Sequence, residues 1–145
     1  MIRRARPEDT REIATLFRRS FGTLTFLPTL HTPEEDFEHF GRLIHEHELW
    51  VYEVGDDILG FASLDDGELS NLYVEPRVIG QGIGSALLDH VKLRRPDGFR
   101  FWVFQENARA RGFYERHGCR LLKLNDGSDN EEREPDALYE WLPSA

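Results

Sequence analysis

The stretch from Asn71 to Leu88 constrains the fold more than any other part of the chain. Leu72 and Val74 alternate with Asn71 and Tyr73, the period of two that marks a strand. Pro76 stops it, because proline has no N–H to give to a ladder. Gly80, Gly82 and Gly84 follow, and then Ile83, Leu87, Leu88 and Val91 fall at helical spacing. A strand, a glycine loop and a helix start in that order aim several free N–H groups at one point, at the positive end of a helix dipole. That is a site for an anion, and a phosphate fits it. No Gly-Lys-Ser/Thr closes the loop, so it is not a Walker loop, and its glycine spacing is not that of a Rossmann turn. Taken alone, the stretch also reads as a plain strand-to-helix turn.

Composition narrows the field. At 145 residues, 39% hydrophobic and 12% aromatic, the chain is expected to form one domain, residues 1–145, with a packed core. Lysine and arginine number 18 against 27 acidic residues, a net charge of −9, which argues against nucleic acid as a partner. An anionic ligand must then be held by a local positive patch. The single Cys119 leaves no disulfide framework and no cysteine-rich zinc site, and it suits a cytoplasmic setting. No apolar run approaches a membrane span, so no membrane partner is expected.

From the N-terminus, Met1 to Arg6 reads as a short strand. A helix with Ile13, Leu16, Phe17 and Phe21 on its apolar face follows and closes at Gly22. Thr32, Pro33 and Glu35 form a capping box for a second helix with Phe37, Phe40, Ile44 and His47 inside. The run Thr23 to Thr32 between these helices is a candidate pocket wall. Leu49 to Val54, Ile58 to Leu64 and Glu68 to Val74 are strands joined by tight turns, an antiparallel meander. After the glycine loop and a helix from Gly82 to Arg94, Phe99 to Phe104 is a strand reached across that helix and so parallel to the fourth. A helix over Asn107 to His117, strands at Cys119 to Leu124 and Asp136 to Leu142, and an acidic loop between them complete the chain.

The helix Asn107 to His117 carries a second motif. Ala110, Phe113, Tyr114 and His117 share one face, and Gly118 follows. Together with Leu72, Val74, Pro76, Gly82 and Gly84, the set Asn107, Ala110, Phe113, Tyr114 and Gly118 resembles the GCN5-related N-acetyltransferases, and the order of strands and helices is similar from end to end. The resemblance implies the GNAT fold, an α/β (α+β) architecture. Its mixed, mostly antiparallel central sheet has about six to seven strands and about four flanking helices, with the parallel fourth and fifth strands splayed. It implies acetyl-CoA as acyl donor, an amine acceptor, and direct attack in a ternary complex by a monomer or homodimer. Leu72 and Val74 would pair with the pantetheine arm, the amides of Ile79, Gly80, Gln81, Gly82, Ile83, Gly84 and Ser85 would hold the pyrophosphate, and Asn107 would bind the arm by hydrogen bonds, with Ala110 and Tyr114 also at the cofactor. The chain departs from the family at Ile79, where arginine or glutamine is usual, and at Cys119, where phenylalanine is usual.

By the same resemblance, Tyr114 would protonate the leaving thiolate, the Val74 amide would face the oxyanion, and Glu68 would be the base. Period two from Leu72 and Val74 supports Glu68, with Asp65 and Asp66 as weaker candidates; each of these side chains also has a plain structural reading. Tyr73 and Trp102 are candidate acceptor-site residues or ordinary sheet residues. The six histidines form no ligand cluster, so no metal is expected. A rival reading is a catalytically weak CoA-binding sensor or scaffold module, favoured by Ile79 and opposed by Tyr114. The acyl group and the acceptor are left open.

Overall fold

The computed structural model describes residues 1–144. β1 (Ile2–Arg4) pairs antiparallel with β2 (Glu48–Val54), β2 with β3 (Asp57–Leu64), and β3 with β4 (Leu69–Val74). β5 (Phe99–Phe104), β7 (Asp136–Trp141) and β6 (Arg120–Asn125) form a second antiparallel sheet in that order. The helices are α1 (Thr10–Phe21), α2 (Pro33–Glu46), α3 (Ile83–Arg94) and α4 (Ala108–Arg116). Among the described residues no helix is long and apolar enough to cross a membrane.

The seven strands do not make one continuous sheet. β4 and β5 meet at a single parallel bridge, Glu68 to Arg100, where Arg100 N donates to Gly67 O at 3.0 Å. Beyond it they part. Glu68 therefore lies just before the fourth strand, not in it. The period of two also fails here, because the register slips between Ser63 and Leu64: Asn71 pairs with Ser63 and Leu69 with Leu64, leaving Ser70 as an extra residue. Leu69, not Glu68, packs on the same side as Leu72 and Val74.

Two cores explain the near-continuous apolar run of β3, whose two faces are both covered. On one face Leu49, Val51 and Phe61 pack against Ile13, Leu16, Phe40 and Leu43 of α1 and α2. On the other, Ala62 and Leu64 pack against Leu87, Leu88 and Val91 of α3, with Tyr114 of α4 in the same cluster. α3 sits close because of Gly60: a Cβ there would lie 2.9 Å from Leu87 Cδ1. On α2, Leu43 is buried where Phe37 was expected inside; Phe37 lies instead under the Arg11 guanidinium, 4.2 Å from its ring centre. The Thr32 capping box forms in both directions, and a cap of this kind contributes about 1 kcal/mol. Gly22 ends α1 at φ −64°, so its freedom to turn left-handed is not used.

Candidate active site

The glycine loop has the geometry its sequence suggests. Gly80 and Gly82 take φ of +90° and +88°, left-handed values that a Cβ disfavours. Among the described residues the amides of Gly80 to Ser85 donate to no protein acceptor; the first helical bond is Ala86 N to Gly82 O at 3.0 Å. These orphan donors stand at the positive end of α3. Gly84 serves packing, since a Cβ there would lie 3.4 Å from the Phe113 ring. Ile83 is buried, so it offers only its N–H, while Ile79 is 42% exposed and Gln81 is exposed. Arg77, two residues before Ile79, is tied at 3.3 Å to Glu75, which is buried and also held by Arg19 of α1 at 2.5 Å.

His117 follows α4 on the side that Ala110, Phe113 and Tyr114 share. Its Nδ1 lies 2.8 Å from Phe113 O and its Nε2 2.9 Å from Ser85 Oγ. The carbonyl can only accept, so Nδ1 carries the proton; in the neutral ring Nε2 then accepts from the Ser85 hydroxyl. Ser85 thus keeps its backbone N–H, and not its O–H, available to an anion. The fixed separation of Ser85 and His117 in sequence gave no hint of this pair.

The parting of β4 from β5 opens a narrow cleft of about 100 Å³. Glu75 N donates to Leu59 O on β3 at 2.9 Å. Successive residues of a strand point their polar groups to opposite sides, so the N–H and C=O of Val74 and Leu72 face away from β3 into the gap. Tyr114 lines the same cleft beside Phe101, at a ring separation of 4.2 Å. Its hydroxyl makes no hydrogen bond among the described residues, and burial pushes its pKa well above that of a free phenol. Ala110 and Asn107 complete the wall. Asn107 caps α4, its Oδ1 accepting from Ala110 N at 3.2 Å; its own N–H donates to Phe104 O at 3.0 Å and its carbonyl accepts from Arg111 N at 3.1 Å, which leaves Nδ2 to meet a ligand. Tyr73 and Trp102 also line this cleft.

A wider chamber of about 490 Å³ lies on the α1–α2 side. The connection after α1 supplies Pro28 to His31 as one wall, as the sequence suggested. Carboxylates outnumber guanidiniums on its lining, with Glu35, Asp36, Glu38, Glu131 and Glu132 against Arg18 and Arg42. Asp36 is neutralised by Arg18 at 2.7 Å, and Glu131 meets His31 at 2.5 Å across the opening. Glu132 has no ion pair or hydrogen bond among the described residues, and its charge helps to hold the Tyr73 phenol protonated, behind the larger effect of burial. Asn71 borders both cavities; Glu68 borders neither. Burial and the neighbouring Asp65 raise the Glu68 pKa above the ordinary carboxylate range.

Comparison with known proteins agrees with this geometry. Residues 45–119, from the end of α2 into the turn after α4, match the acetyltransferase (GNAT) domain. A peptidyl-lysine N-acetyltransferase, YjaB, of Salmonella typhimurium is 32% identical over 130 residues, 88% of each chain. The apo-form solution structure of YjaB from Escherichia coli superposes with a TM-score of 0.80 at 26% identity, over 99% of this chain and 98% of that one. An N-acetyltransferase, PaiA, of Thermoplasma acidophilum, solved with coenzyme A, has the same fold, with a TM-score of 0.74 at 19% identity over 98% of each chain. The chain belongs to the GNAT family and is an N-acetyltransferase.

Proposed function

We propose that the protein moves an acetyl group from acetyl-CoA to a primary amine by direct attack in a ternary complex, and that the amine is the end of a cationic side chain such as a lysine. The observation that carries this reading is the junction of a narrow cleft, edged by free backbone groups, with a wide acidic chamber. The coenzyme A held by the structural neighbour PaiA and the peptidyl-lysine activity named for YjaB support the two halves of the reading.

In this mechanism the pyrophosphate rests on the amides of Gly80 to Ser85, the Ile79 N–H being turned to Pro76 O at 3.5 Å, and the arm runs along Leu72 and Val74 past Asn107 and Ala110. The amine nitrogen attacks the thioester carbon. The Val74 N–H stabilises the oxyanion, and Tyr114 gives a hydrogen bond or a proton to the departing sulfur. Glu68, outside both cavities, takes the amine proton through water. The acidic chamber and the buried, unpaired thiol of Cys119 fit an enzyme acting on cationic acceptors in the cytoplasm.

The test is thiol release from acetyl-CoA across a panel of amines that includes Nα-acetyl-lysine amide and lysine peptides, read beside the melting shift caused by CoA. Turnover on a lysine-type amine is expected. A melting shift with no turnover on any amine overturns the enzyme reading in favour of a CoA-binding sensor or scaffold, the reading that Ile79 favours.

A further inference from the structure

Asn71 is a side chain the mechanism above leaves unused, and it stands where the two cavities meet. Its amide is locked. Nδ2 lies 2.8 Å from Ser63 Oγ, Ser63 Oγ lies 3.0 Å from Ser70 Oγ, and Ser70 Oγ lies 3.2 Å from the Ser63 carbonyl. Proton counting fixes the direction. The carbonyl can only accept, so Ser70 donates its one proton there; Ser63 must then donate to Ser70, and so accepts from Asn71. Ser63 is fully buried, so no water competes for the arrangement. Asn71 Oδ1 is left as a bare acceptor, with no protein donor among the described residues. The Ser70 bulge brings the two serines into the relay.

We propose that Asn71 binds the attacking amine, its Oδ1 accepting an N–H so that the nitrogen lone pair faces the thioester in the cleft. This rests on the acetyl-transfer reading. The C–N bond forms as the C–S bond breaks, the amine proton leaves to the base, and the sulfur takes a proton, so amine and thioester give amide and thiol. A neutral amide suits this place better than a carboxylate. It orients the amine without stabilising its charged, unreactive form. The ionisable groups bordering the two cavities are Arg18 of α1, His31 of the α1–α2 connection, Glu35, Asp36, Glu38, His39 and Arg42 of α2, Tyr73 of β4, Tyr114 of α4, and Glu131 and Glu132 of the β6–β7 loop. Ser63 and Ser70 are positioning residues that act through Asn71.

The experiment measures kcat and KM for Nα-acetyl-lysine amide with saturating acetyl-CoA, and the pH dependence of kcat and of kcat/KM. Asn71→Ala is expected to lower acceptor kcat/KM by about 10- to 100-fold while the CoA melting shift is kept, the size of a lost hydrogen bond to a charged or reacting group. Asn71→Asp, nearly isosteric, holds the bound amine as ammonium and should move the rising limb of the kcat profile, which reports the complex, up by about one unit or more. Should Asn71→Ala fail to fold, Asn71→Asp still decides. Ser63→Ala frees the amide to flip and should give a smaller loss in the same parameter. Wild-type acceptor kcat/KM with a superimposable pH profile in a folded Asn71 variant overturns the proposal and leaves acetyl transfer standing. An inactive wild type on the whole amine panel overturns both.

Discussion

The glycine loop and the acidic chamber are built on opposite plans. The loop draws its chemistry from consecutive residues and from the backbone, since its free amides run from Gly80 to Ser85 and its two left-handed glycines need no particular side chain beside them. The chamber draws on side chains of α1, the α1–α2 connection, α2, β4 and the β6–β7 loop, from Phe17 to Glu132. A site made of backbone tolerates exchange of its side chains, and Ile79 is an instance. A site made of side chains can change its ligand without changing the fold. One half of the enzyme is therefore expected to be generic and the other specific.

The sharpest way to break that contrast is inside the loop. Gly82→Glu puts a carboxylate and a Cβ at φ +88°, where the pyrophosphate is proposed to rest. Its kcat/KM for acetyl-CoA should fall about 10³-fold, from strain and charge repulsion together. Gln81→Ala, which removes only a side chain, should change it by less than about 3-fold. Equal losses in the two would mean that the loop works through side chains.

Next in size is Tyr114→Phe, which keeps the ring against Phe101 and removes the hydroxyl. A fall of about 100-fold in kcat, with CoA binding unchanged, is expected for a proton donor to the sulfur. A near-silent variant would make Tyr114 a core residue only.

The smallest effects should separate two carboxylates. As a base Glu68 must be ionised, and its pKa is raised by burial and Asp65, so kcat/KM should climb as pH rises through that raised value. Glu68→Gln should erase that limb and cost about 10-fold, less than a base in direct contact, because a water relays the proton. Glu132→Gln should leave the limb in place and raise acceptor KM by about 3-fold, as removal of a half-screened charge would. If Glu132→Gln erases the limb instead, the base sits in the chamber.

What the sequence made legible follows the same division. The loop, the Thr32 cap, the Asn107 helix start and the turns at Gly55 and Gly67 are local, each written within a few residues. Periodicity placed Tyr114 on a helix face and Val74 in a strand, while their places at the cleft were implied by the family resemblance. The Ser70 bulge was not legible, because an extra residue in a strand shows only against its partner, and it removed the parity argument for Glu68. The Ser85–His117 contact joins residues 32 apart and Arg19–Glu75 joins residues 56 apart, pairings that follow from how the helices dock. Asn71 looked like an ordinary polar residue of an alternating strand until both cavities were seen to end on it.

The Arg19–Glu75 pair has a thermodynamic consequence. α1 carries Phe17 and Arg18 on the chamber wall and, one residue on, the arginine that grips a buried carboxylate at the root of the glycine loop. Separating the two would leave that buried carboxylate with only the exposed Arg77, at 3.3 Å, as its partner, so the chamber wall and the loop resist moving independently. Two ligands that lean on one such body are energetically linked, and linkage is reciprocal: whatever factor CoA in the loop applies to the affinity for the amine, the amine applies to the affinity for CoA. The strength of that coupling is then a property of α1 as much as of either pocket.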